Sequence, residues 1–136
     1  MLLNSFRDRY QKFLLAIQHY QNLLNSYSSI SQSPENQQTA ATSSDKIKLK
    51  QGFAQLQAVF TEEIANLSLD DLEPAIASRL QSYLTEINKQ LQLLGIDVTF
   101  LQASRQRATA QTKITQISTR LQTITNYCQA ILDLGF

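Results

Sequence analysis

The run Phe6-Arg7-Asp8-Arg9-Tyr10-Gln11-Lys12-Phe13-Leu14-Leu15-Ala16-Ile17-Gln18-His19-Tyr20 decides the fold class. Followed outward, it places Leu3, Phe6, Tyr10, Phe13, Ile17, Tyr20, Leu24 and Tyr27 at alternating spacings of three and four, which is one face of a helix. The residues between them, among them Arg7, Asp8, Arg9, Gln11, Lys12, Gln18 and Gln21, make the far side polar. The spacing predicts a helix over about 4–27, roughly 36 Å long at 1.5 Å per residue.

Ser28 to Ser44 loses the period. This stretch of Ser, Gln, Thr and Asn with Pro34 cannot bury enough apolar area to offset its ordering entropy, so a long mobile loop over about 28–44 is expected. A second helix over about 45–67 follows, capped by Ser44 or Asp45, with Leu49, Phe53, Leu56, Phe60, Ile64 and Leu67 inward. The alternation in Lys46-Ile47-Lys48-Leu49-Lys50 is too short to compete as a strand. Ser68 to Pro74 reads as a tight corner in which Asp71 caps and Glu73 and Pro74 suit a first turn.

The third helix, about 72–103, carries Ile76, Leu80, Tyr83, Ile87, Leu91, Leu94, Val98 and Leu101. Its pattern continues through Gly95, which is therefore read as an interior glycine costing up to about 1 kcal/mol against alanine, with a helix break there as the rival. The phase is lost between Leu101 and Ala110, so a turn near Ser104 to Thr109 is expected although no Gly or Pro marks it. The last helix, about 109–133, puts Ala110, Ile114, Ile117, Leu121, Ile124, Cys128 and Ile131 on one face. Four such segments close most economically as an all-α, antiparallel four-helix bundle, a single domain over 1–136 with a long first inter-helix loop.

Composition narrows the function. A chain of 136 residues supports one core, and with charged residues at only 17% its polar surface is built mainly from Gln, Asn, Ser and Thr. The formal net charge of +1 supplies no global field toward nucleic acid or anionic membrane. Gly52, Gly95 and Gly135 are isolated, so no phosphate-cradling loop exists. The longest apolar run, Phe13 to Ile17, is far too short to cross a bilayer, and the start lacks the zones of a secretory signal. A cytoplasmic protein is expected.

The inventory for chemistry is thin. The only histidine, His19, is expected on a helix flank and the only cysteine, Cys128, in the core, at different levels of the bundle, so no shared metal is expected. Paired carboxylates for a di-iron site would need Glu-x-x-His on two helices, which does not occur. Glu62, Glu63 and Glu86 fall on or beside polar faces. Asp97, between Leu94 and Val98, is expected to be a bonded structural aspartate. Tyr10, Tyr20, Tyr27, Tyr83 and Tyr127 sit at or beside the apolar rows and read as core edge, with a contact surface as the alternative. Neither catalytic residues nor a cofactor is expected.

Charge placement is the most informative feature after periodicity. From Gln51 to Ser78 every charged residue is acidic, namely Glu62, Glu63, Asp70, Asp71 and Glu73; from Val98 to Leu132 every one is basic, namely Arg105, Arg107, Lys113 and Arg120. In an up-down bundle the start of the second helix and the corner between the third and fourth share one end. Lys46, Lys48, Lys50, Arg105, Arg107 and Lys113 therefore define a candidate surface for docking an acidic protein partner, while the acids gather at the other end.

Ser78-Arg79-Leu80-Gln81-Ser82-Tyr83-Leu84-Thr85-Glu86-Ile87-Asn88-Lys89-Gln90-Leu91, continuing from Leu93-Leu94-Gly95-Ile96-Asp97-Val98 to Gln106, resembles the cyanobacterial heterocyst frequency control protein PatD family, as does the closing Tyr127-Cys128. The match covers the third helix and part of the fourth. The resemblance implies a small α-helical cell-division factor that associates with the tubulin-like protein FtsZ, acts at the division site and, in filamentous forms, affects how often heterocysts arise. It implies no enzymatic activity and assigns no contact residues. The rivals are a self-associating helical scaffold or adaptor, hence a homo-oligomer, and a ligand-carrying bundle, which would need an inward histidine or a dry cavity.

Overall fold

A computed structural model describes residues 2–32 and 43–134. Four α-helices carry the chain: α1 (Leu2–Gln32), α2 (Ser43–Val59), α3 (Pro74–Ala103) and α4 (Arg107–Leu132). α2 runs directly into a π-helical segment, Phe60–Ala65. No strand occurs among the described residues, and the molecule is an all-α bundle.

The helices form a ring in which α1 packs on α2 and α4, and α3 packs on α4 and α2. Contact is most extensive between α3 and α4 and least between α2 and α3. Each neighbouring pair runs antiparallel. Arg7 at the start of α1 donates from Nη1 to the Leu132 carbonyl at the end of α4 (3.1 Å), and Gln102 at the end of α3 donates from Nε2 to the Lys46 carbonyl at the start of α2 (2.6 Å).

The apolar rows expected from periodicity make the core. Phe6, Tyr10, Phe13, Ile17, Tyr20, Leu24 and Tyr27 of α1 are all buried, as are Leu80, Ile87, Leu91, Leu94, Val98 and Leu101 of α3 and the row from Ile114 to Ile131 of α4. Tyr20 keeps its buried hydroxyl satisfied by donating to the Leu49 carbonyl (3.1 Å), so an aromatic with a polar tip costs the core no orphaned group. Gly95 is indeed interior to α3, for a packing reason: a Cβ there would lie 3.0 Å from the ring of Phe53. Gly52 does the same for α1 against α2, where an added Cβ would meet Leu23 Cδ2 at 2.8 Å and the Tyr20 ring at 3.1 Å.

Several boundaries differ from expectation. α1 continues past Tyr27 to Gln32, and within this extension Ser29 Oγ donates to the Asn25 carbonyl (3.1 Å). Of the long loop expected over 28–44, residues 28–32 belong to α1 and 43–44 to α2, and 33–42 lie outside the described residues. The second helix is α-helical only to Val59. Beyond it the turn widens, and Arg9 Nη1 from α1 donates to the carbonyls of Glu62 (3.5 Å) and Glu63 (3.4 Å), which a helix end leaves without an intrahelical partner. α3 starts at Pro74, whose fixed φ suits a first turn, and Asp71 is not its cap. α4 starts at Arg107. Its connection to α3 needs neither Gly nor Pro, since Ser104 (φ −70°, ψ 128°) and Gln106 (φ −94°, ψ 137°) simply turn to extended backbone.

Candidate protein-binding surface

The topology brings the start of α2 beside the end of α3, and so places the six cations expected to cluster near one end of the bundle. They are not equivalent. Lys46 Nζ donates to the Gln102 carbonyl (3.2 Å), and with the reciprocal bond from Gln102 this closes the α2–α3 corner. Lys48 and Lys50, on the following turn, are exposed, and so are Arg105 and Arg107 at the α3–α4 turn. Lys113 lies further along α4 and is turned inward. Its Nζ sits 3.9 Å from Asp97 Oδ1, 5.0 Å from the centroid of the Phe100 ring and 3.0 Å from Gln116 Oε1. Lys48, Lys50, Arg105 and Arg107 are therefore the cations of this end that face water.

The far end is less one-sided than the sequence suggests. Glu62, Asp70, Asp71 and Glu73 are exposed there, yet Arg9 and Lys12 of α1 come within 3.8 Å of the Glu63 carboxylate. Two basic residues of α1 thus reach one of the acids at this end.

Asp97 is 4% exposed, and its carboxylate accepts a hydrogen bond from Arg120 Nε at 2.5 Å across the α3–α4 seam. Arg120 Nη1 also donates to Gln90 Oε1 (3.3 Å). The cluster pairs a buried anion with one hydrogen-bonded cation and a second cation 3.9 Å away, the kind of pairing that lets a buried charge be tolerated.

Elsewhere the reactive side chains are kept apart. His19 is exposed on α1, whereas Cys128 is buried in α4 and burial pushes its thiol up to about 12, which leaves little thiolate at neutral pH. Tyr10, Tyr20 and Tyr27 are core residues whose phenols burial drives above the usual range. Tyr83 and Tyr127 are half-buried and meet ring to ring at 5.9 Å. Among the described residues no three His, Cys, Asp or Glu side chains converge as a metal site would require. No helix among the described residues is long and apolar enough to cross a membrane.

Periodicity reasoning missed one surface feature. Besides its core row, α3 carries a second stripe at spacings of four, three and four: Lys89, Leu93, Ile96 and Phe100. Leu93 is half-buried, while Ile96 and Phe100 are 50% and 55% exposed. The signal was in the sequence, but one helix face can bury only one stripe, and the inward one explained the fold by itself. Between α1 and α4 lies a surface groove of about 310 Å³ with Leu14, Ile17 and Leu121 at its floor and glutamines along its walls.

Comparison with known proteins finds no matching family model, no matching curated protein and no matching solved structure.

Proposed function

We propose that the chain is a non-enzymatic regulator of cell division that binds FtsZ and modulates its assembly, with consequences for division and for heterocyst frequency in cyanobacteria. The observation that supports a binding role is the group of water-facing cations, Lys48, Lys50, Arg105 and Arg107, at one end of the bundle. Such a patch attracts an acidic partner and speeds its docking. FtsZ as the partner follows from the resemblance carried by Ser78 to Gln106, and FtsZ-type proteins are generally acidic. Action in the cytoplasm at the division site belongs to the same reading. A protein-binding role also suits a chain whose histidine is exposed and whose cysteine is buried.

Co-sedimentation with FtsZ polymers in the presence of GTP tests the proposal. The chain is expected in the pellet above the level of an unrelated bundle, and Arg105→Glu with Arg107→Glu is expected to weaken that binding most at low salt. No pelleting overturns the assignment to FtsZ. Pelleting that the double reversal leaves unchanged overturns the basic end as the contact.

One observation favours a second reading, the self-associating scaffold. The α1–α4 groove is walled by the uncharged Gln18, Gln21, Gln122 and Gln129, and such a face can meet its own copy without repulsion. Light scattering on the eluting protein separates the two, since a monomer at micromolar concentration removes the scaffold.

A further inference from the structure

The exposed stripe on α3 lies outside the core and outside the group of water-facing cations, yet it runs toward them. Lys89, Leu93, Ile96 and Phe100 fall along one line because spacings of four, three and four return to the same helix face. The apolar part spans about 10 Å, two turns at 1.5 Å per residue. Its surroundings are basic. Lys89 stands one turn before Leu93, Lys113 reaches over the Phe100 ring at 5.0 Å, and Arg105 and Arg107 follow where α3 ends. The nearest acids on α3 are Glu86, half-buried one turn before Lys89, and Asp97, which is buried and bonded to Arg120.

From this juxtaposition we infer that the α3 stripe is a docking ridge for an amphipathic, acidic helix of a partner protein, one that presents two or three apolar side chains at helical spacing flanked by Asp or Glu. A ridge of residues at three and four spacing fits the groove of an opposing helix, and the apolar side chains give contact while the basic rim selects charge. Other occupants fit less well. A second copy of this chain laid face to face would bring Lys89, Arg105 and Arg107 against their own kind. A membrane surface takes a broad apolar face, and three residues on the side of a packed bundle do not supply one. The inference deepens the binding role proposed above by supplying its apolar anchor, and it rests on that role but not on the partner being FtsZ.

Fluorescence anisotropy with labelled synthetic peptides gives the test. One probe is a helical peptide with leucines at i, i+3 and i+7 flanked by glutamates; its control carries lysines in place of the glutamates. The intact chain is expected to bind the acidic peptide and not the basic one. Ile96→Ser with Phe100→Ser, both at exposed positions, is expected to weaken binding about tenfold, the usual scale for removing interface anchors. Leu15→Ser, a substitution at a similarly exposed leucine on α1, is expected to leave it unchanged. Circular dichroism of each variant secures the fold. Equal binding of the two peptides, or of the wild type and the Ile96/Phe100 variant, overturns the inference. So does binding only to anionic phosphatidylserine vesicles, or an oligomer that the double variant dissociates. Failure to pellet with FtsZ alongside selective peptide binding removes the partner's name and leaves the ridge standing.

Discussion

Arg120 of α4 donates its Nε–H to Asp97 of α3, and this bond fixes the axial register of the two helices that share the largest contact in the molecule. Apolar rows alone would tolerate a slide of one turn, since leucine and isoleucine repeat along both helices. A buried carboxylate does not tolerate it, because sliding would strand the charge.

Arg120→Met is therefore expected to destabilise the chain by about 3 kcal/mol at neutral pH, the usual cost of stranding one partner of a buried pair, with Lys113 at 3.9 Å limiting the loss. Asp97→Leu combined with Arg120→Met removes both charges and is expected to recover most of it. Urea unfolding of the single and double variants checks both outcomes, and a double variant no better than the single would overturn the pairing account.

The two interior glycines should respond differently to alanine. At Gly52 the new Cβ would press on Leu23 and on the buried Tyr20 ring, which is pinned by its bond to Leu49, so Gly52→Ala is expected to cost about 1 kcal/mol despite the helix-propensity gain. At Gly95 the new Cβ would meet only the far edge of the half-buried Phe53 ring at 3.0 Å, so Gly95→Ala is expected to lie within about 0.5 kcal/mol of wild type. Thermal unfolding of both variants reads the difference.

Alkaline pH should destabilise the bundle. Burial pushes the Cys128 thiol from its ordinary 9.0 up to about 12, so between those values the unfolded chain binds fewer protons and stability falls as pH rises. The raised Tyr10 and Tyr20 phenols act in the same direction from 10.0 upward. Denaturant midpoints measured at pH 8 and above should fall with pH, and Cys128→Ala should make the decline shallower. Equal slopes in the two proteins would contradict it.

Gln102→Ala removes the donor to the Lys46 carbonyl and is expected to cost about 1 kcal/mol. The loss should be local. Amide exchange in the first turns of α2 is expected to quicken while α4 stays protected, because α2 and α3 share so little else. Uniform acceleration across all helices would argue against a corner clasp.

What the sequence revealed depended on how far apart the interacting parts lie. The core rows of α1, α3 and α4 were legible because burial repeats every three or four residues, and the sharing of one end by Lys48, Lys50, Arg105 and Arg107 followed from simple up-down connection. The extension of α1 through Ser28 to Gln32 was not legible, since a composition of Ser and Gln suggests a loop. Nor was the π-helical segment, which goes with a guanidinium arriving from residues far earlier in the chain. Asp97 was recognisable as bonded, but its partner Arg120 stands on another helix, and no spacing rule links them. The Ile96 and Phe100 stripe was readable in principle, since it is a second helical row that no helix among the described residues covers.

The uneven seams of the ring have a mechanical corollary. A force or a fluctuation that pulls the molecule apart will spread first where α2 meets α3, swinging α2 away on α1 like a door leaf on its frame while the α3–α4 pair stays shut. The Phe53 ring, seated over Gly95, would be the latch that lets go, and the surface bared behind it would be the inner wall of the core.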